Sequence, residues 1–175
     1  MKTYATVAAV AVLSACASPM MTTIDNAALP EPVRAPAGQK MMMVATGVGD
    51  ITYECREKKD TAGQYDWAFV GPVATLYAKD KKTVGKYYAG PTWESSDGSK
   101  VTGKQVAVAP AGAGNIPLQL VKTDPAMGAG AMTGVSYIQR LNTKGGVAPA
   151  AACDAGARGQ RQTVKYEADY AFYGG

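Results

Sequence analysis

One short stretch gathers an aromatic ring, two carboxylates and a hydroxyl. It is Trp93-Glu94 with Asp97 and Ser99, set behind the bend Gly90-Pro91. Glu94 and Asp97 have the residue types of an acid–base pair or of ligands for a hard cation. A pair at the right separation hydrolyses glycosides. The competing reading is structural: Trp93 plugs a core and Asp97-Gly98 makes a hairpin turn. Structure or passive binding is favoured, with Trp93 half-buried at the rim of a shallow cleft shared with Tyr88 and Glu94. Tyr87 and Tyr88 are adjacent, so on a strand one of the two rings points outward.

Arg140 is the second candidate. It closes a run that ends at Asn142, Thr143 and Gly145-Gly146. A guanidinium fork beside a glycine turn binds a carboxylate or a phosphate. The favoured alternative is an internal pair with Asp154 or Asp169. Tyr88, Trp93, Glu94, Asp97 and Arg140 are therefore the candidate ligand-binding residues, and no catalytic residue is assigned. Gly98 to Gln105 imitates a phosphate loop, but it lacks the closing Ser or Thr and a following helix.

The chain contains no histidine. That absence excludes Ser-His-Asp triads, Cys-His dyads and His-ligated zinc. No metal site and no cofactor is expected. The formal charge is +4, too mild and too dispersed for a nucleic-acid partner. The cluster Lys79, Lys81, Lys82 and Lys86 around Asp80 reads as a solvated turn that discourages edge pairing.

The chain has 3 cysteines. Cys16 ends Leu13-Ser14-Ala15-Cys16, directly after the short apolar run Tyr4 to Leu13. This resembles the bacterial lipobox, in which the cysteine is lipidated and becomes the first residue. Residues 1–15 then form a lipoprotein signal peptide. Ordinary cleavage after Ala17 is the alternative. A non-acidic Ala17 behind the cysteine implies the outer membrane, facing the periplasm or the cell surface. Cys55 and Cys153 remain, and an even pair in an oxidising compartment reads as one disulfide.

Positioning these residues falls to strands. Residues 16–37 carry Pro19, Pro30, Pro32 and Pro36 without apolar periodicity, and read as a tether; the alternative is a Pro-rich arm packed on the domain through Leu29, Val33 and Met41–Met43. From 38 to 175 the period is two. Ile51, Tyr53 and Cys55 alternate with polar neighbours, as do Tyr65, Trp67 and Phe69. Val73, Thr75 and Tyr77 follow Gly71-Pro72 as a further run. Val135, Tyr137, Gln139 and Leu141 share one side of another. Val164, Tyr166, Ala168, Tyr170 and Phe172 share one face of the last. Short runs bounded by Gly, Pro, Asn and Asp predict an all-β domain of about eight to ten antiparallel strands, with little helix. A β-sandwich or a small closed β-barrel would protect the edges.

Three further runs carry a resemblance. They are Tyr88-Ala89-Gly90-Pro91-Thr92-Trp93-Glu94 with Asp97-Gly98-Ser99, Tyr137-Ile138-Gln139-Arg140 with Asn142-Thr143, and Gly145-Gly146-Val147-Ala148-Pro149 leading to Cys153-Asp154. Their order and spacing resemble the secreted bacterial and fungal family catalogued as domain of unknown function 3455. Tyr53-x-Cys55, Trp67-x-Phe69 with Pro72, and Tyr166-x-Ala168-Asp169-Tyr170 also match. The resemblance spans roughly residues 30 to 173. It departs at Tyr87, where family members often carry histidine, and at Leu118, where many carry tryptophan.

The sequence thus points to an envelope-anchored lipoprotein with a non-catalytic binding or surface-interaction domain. Its partners are the membrane, through the lipid, and a small polar or glycan ligand. A glycosidase-like hydrolase using Glu94 and Asp97, and a structural or stress-related envelope protein, are the alternatives. Oligomeric state is left open.

Overall fold

Eight period-two segments close into one ring. A computed structural model describes residues 24–175; Cys16 and residues 1–15 lie outside the described residues. The strands are β1 (Lys40–Glu57), β2 (Tyr65–Tyr77), β3 (Thr83–Tyr88), β4 (Thr92–Ser95), β5 (Lys100–Ala109), β6 (Leu118–Thr123), β7 (Val135–Gly145) and β8 (Arg161–Gly174). Each pairs antiparallel with its neighbour in sequence, and β8 returns to β1. The closing seam runs from Lys40 opposite Gly174 to Glu54 opposite Arg161. The expected all-β fold is a closed barrel rather than a sandwich. Closure gives every strand a partner on both sides and leaves no edge strand, which is the physical gain of this arrangement. Among the described residues, helix is confined to three 3-10 turns, Asn26–Ala28, Glu31–Val33 and Ala155–Ala157.

The bore is filled by side chains. Ile51, Leu76, Tyr87, Trp93, Val101, Ile138, Tyr166, Tyr170 and Phe172 form one buried cluster. The expected inward face of β8 is found, with Tyr166, Ala168, Tyr170 and Phe172 all buried. Gly47 makes room for it: a Cβ there would lie 2.6 Å from the Tyr170 ring. The opposite faces carry charge, paired across strands as in Lys165 with Asp50 and Lys144 with Glu167.

Strand facing departs from simple alternation along β2 and β7. Tyr65 to Tyr77 is one strand that runs through Gly71-Pro72, and the inward residues of its second half are Ala74 and Leu76, while Val73 stays 70% exposed. A bulge beside Thr52 and Tyr53 slips the β1–β2 register by one residue. A one-residue slip exchanges the two faces of a strand. Along β7, the same kind of shift between Val135 and Tyr137 leaves Val135 and Ile138 in the bore. Tyr137 and Gln139 turn to the outer wall.

The described part of the Pro-rich segment follows its packed alternative. Residues 24–37 do not swing free but lie along the outer wall. Val33 is fully buried against Ala109 and Leu120, and Ala35 packs on Ala171 and Tyr173. Asn26 clasps Ala35 with two hydrogen bonds, one to its N–H and one to its carbonyl. The Gln139 amide donates to Asn26 and to the Val33 carbonyl, and its oxygen accepts from Tyr173. That wall is buried on both faces, so it pairs a polar Gln139 with polar arm groups instead of water.

Candidate functional site

Strand length decides where the barrel opens. β3 has 6 residues and β4 only 4, against 13 in β2 and 10 in β5. The wall is therefore low at the Ala89-Gly90-Pro91 turn between them. A cavity of about 360 Å³ opens at that upper end. Its lining divides by strand. One side is β2 and the β3–β4 turn, with Phe69, Gly71, Pro72, Ala89 and Pro91. The other is β5, β6 and β7, with Lys104, Gln105, Gln119 and Arg140. Tyr87 forms the floor.

Arg140 is the charged centre of this mouth. It pairs with neither Asp154 nor Asp169, so the favoured internal ion pair is not formed. Asp169 accepts from Thr46 and Asn142, and Asp154 caps the Ala155–Ala157 turn. Arg140 instead donates from Nε and Nη2 to the Pro117 carbonyl, at 3.1 and 2.8 Å. Its charge is felt through the bore. Burial raises the pKa of Tyr53, Tyr87, Tyr166 and Tyr170, and the nearby Arg140 charge opposes each rise.

The Trp93 corner is not a cleft. Trp93 is 1% exposed, stacked on Tyr87 at 4.6 Å and edge-on to Tyr170 at 5.9 Å. It faces inward because it lies opposite Tyr87 on β3 and Val101 on β5, and residues directly paired share a face. The half-exposed rim expected for it is thereby corrected. Tyr88 is the ring that turns outward. Its hydroxyl donates to Glu94 at 2.7 Å, and Lys86 completes the group with an ion pair to Glu94 at 3.2 Å. These two donors hold the Glu94 pKa below its ordinary value.

Asp97 works elsewhere. It sits on the β4–β5 turn, at the end of the barrel opposite the mouth. Its carboxylate accepts from the Ser99 hydroxyl at 2.6 Å and from the N–H groups of Ser99 and Ala131 at 2.9 and 2.7 Å. Those bonds pull its pKa down to about 2. Ser99 in turn accepts from the Met132 N–H, which seats Met132 as a buried plug at the lower end. A second cavity of about 350 Å³ lies there, lined by Met43, Leu76, Asp97, Met132 and Phe172 among others. Glu94 borders a groove on the outer wall instead. Acid and base for one substrate must converge on one cavity, and these two carboxylates do not share one.

Of the five candidates, only Arg140 lines the mouth. Tyr88 and Glu94 meet on the outer wall, Trp93 fills the core and Asp97 pins a turn. Sequence reasoning did not single out Phe69, Tyr87, Gln105 and Gln119 as a group, because only barrel closure brings β2 opposite β6. Among the described residues, no cluster of three or more metal-ligating side chains occurs. The expected disulfide is present, Cys55 to Cys153, and ties β1 to the loop ahead of β8.

No curated protein and no solved structure matches the chain. A family model does, the one described as protein of unknown function (DUF3455), over residues 36–174. That span takes in every strand from β1 to β8 together with both halves of the mouth and the disulfide. The chain therefore belongs to the DUF3455 family of proteins of unknown function.

Proposed function

We propose that this protein is a lipid-anchored component of the bacterial envelope whose barrel is a non-catalytic binding module, with the upper mouth as its site for a small polar or glycan ligand. The observation that carries the reading is the mouth's composition. An aromatic and proline-lined side faces a side made of one arginine, one lysine and two glutamines. Small-ligand sites have this mixture of apolar walls with a few convergent polar groups. Among the described residues, no carboxylate, thiol or histidine lines the cavity, which favours binding over acid–base chemistry there. The carboxylates of the hydrolase alternative, Glu94 and Asp97, are held at separate places by separate partners.

Blocking the mouth tests this. Ala89 is exposed on the low rim, so Ala89→Trp should fill the opening with little effect on melting. Titration of wild-type protein with envelope glycan fragments and small polar solutes should move the backbone amide resonances of Gly71, Gly90 and Gly103. The variant should lose those shifts. Shifts that survive Ala89→Trp would move binding away from the mouth. Silence across all ligand classes would leave the structural envelope reading.

Anchoring rests on Leu13-Ser14-Ala15-Cys16. Cys16→Ser should leave the precursor unprocessed or release the protein from the membrane fraction. Unchanged mobility and fractionation would end the lipoprotein assignment. The outer membrane is the proposed destination, because Ala17 is not acidic.

A further inference from the structure

We infer, building on the mouth as a binding site, that its ligand is a small carboxylate with a flat apolar body, held end-on by Arg140. A guanidinium offers five N–H donors in a fixed fork. The Pro117 carbonyl takes the side edge of the Arg140 fork, through Nε and Nη2. That contact holds the plane of the group and leaves Nη1, with the second Nη2 hydrogen, as an end edge. No protein acceptor reaches that edge among the described residues. Every ion pair among them involves another cation. Two parallel N–H donors match the two oxygens of a carboxylate.

The surroundings carry the same sign. Lys104 is a second cation on the lining, and no Asp or Glu among the described residues offsets it there. Gln119 lies directly opposite Arg140 in the β6–β7 register and donates to Gln105 at 2.6 Å. That bond leaves the Gln105 amide nitrogen as a further donor beside the fork. Apart from Tyr87 on the floor, polar side chains are thus confined to β5, β6 and β7. Across the ring stand Phe69, Gly71 and Pro72 of β2, with Phe69 edge-on to Tyr53 and 56% exposed. An exposed ring on a cavity wall is a surface for a flat apolar body. The ligand is accordingly amphipathic, with its charged head toward Arg140 and its body toward Phe69. About 360 Å³ stands near the lower limit for small-molecule sites, which suits a compact ligand.

Phenylacetate and phenylacetamide differ in charge and hardly in shape, so the pair isolates the head group. Each is titrated into the mature protein, with inorganic phosphate as a third probe, and read by the Gly71, Gly90 and Gly103 amides. Phenylacetate should shift them saturably, and phenylacetamide should bind about tenfold more weakly or worse. Arg140→Gln should erase that preference, while Arg140→Lys should keep part of it through charge without the fork. Thermal melting of both variants checks that the lost Pro117 contact has not opened the barrel.

Equal binding of acid and amide overturns the carboxylate inference and leaves the mouth as a site for neutral ligands. So does a preference unchanged in Arg140→Gln, or phosphate binding as tightly as phenylacetate. A neutral glycan that moves the amides when all three probes fail has the same consequence. If nothing moves them, wild type or variant, the mouth reading itself falls.

Discussion

Trp93→Ala should destabilise the barrel by about 3–5 kcal/mol, the range for large-to-small aromatic changes in cores. Trp93 is among the largest fully buried side chains, and it packs against Tyr87 and Tyr170 at the centre of the bore. Strands β3 and β4 are short, so few backbone bonds compensate for the lost packing. Total stability of a domain is about 5–15 kcal/mol, and a drop in Tm of roughly 10 °C or more follows for a chain of this size. Glu94→Gln should melt near wild type. Its carboxylate is on the outer wall with Tyr88 and Lys86, where exposed polar contacts contribute little. Trp93→Phe gives an internal control. The buried Trp93 indole N–H has no hydrogen-bond partner among the described residues, so phenylalanine loses area but also removes an unsatisfied donor. It should cost clearly less than alanine. Near-native melting of Trp93→Ala would contradict the core assignment and return Trp93 to the surface.

Removing the cross-link is the second large perturbation. Cys55→Ala combined with Cys153→Ala should lower stability by about 2–5 kcal/mol. The bonded residues are 98 apart in sequence, and longer loops lose more denatured-state entropy on cross-linking. Local contacts compete with this loss. Cys55 also pairs by backbone with the Gly159-Gln160 segment, Tyr53 donates to the Gly146 carbonyl, and Trp67 donates to the Ala151 carbonyl. The double variant should therefore keep the barrel while the loop ahead of β8 becomes protease-sensitive. Urea unfolding checks it: the midpoint should fall and the slope should rise, because an open denatured chain exposes more surface. An unchanged midpoint, or quantitative thiol labelling of both cysteines in unreduced native wild type, would remove the bridge from this account.

How much of the site was legible differs residue by residue. Alternation identified β8 and its inward tyrosines, because a barrel strand with one face in the bore must alternate. It could not tell which way Val73 faces, since a bulge changes face without changing composition. Gln139 looked like one member of an alternating row, yet it is buried beneath the Asn26–Val33 arm on the outside. Trp93 was placed half-buried at the rim of a cleft, and the structure instead takes the competing reading, a plug in the core. The proximity of Glu94 and Asp97 in sequence suggested a shared site. Their places on a strand and on the following turn send one to the wall and the other to the lower end.

The sequence by itself determined the strand class, the cysteine pairing and the family, because period-two patterning, cysteine parity and motif order are properties of the chain written in one dimension. It also removed histidine-dependent chemistry outright. Only the tertiary structure decided that Arg140 faces Phe69 across an opening, with Pro117 holding the guanidinium in place. Those residues lie on β2, β7 and the segment before β6, and their meeting depends on ring closure, strand length and bulge position. Side-chain facing along a strand is a local property. Facing across a barrel depends on every strand between, so a one-residue slip in any of them would reassemble the mouth from different residues.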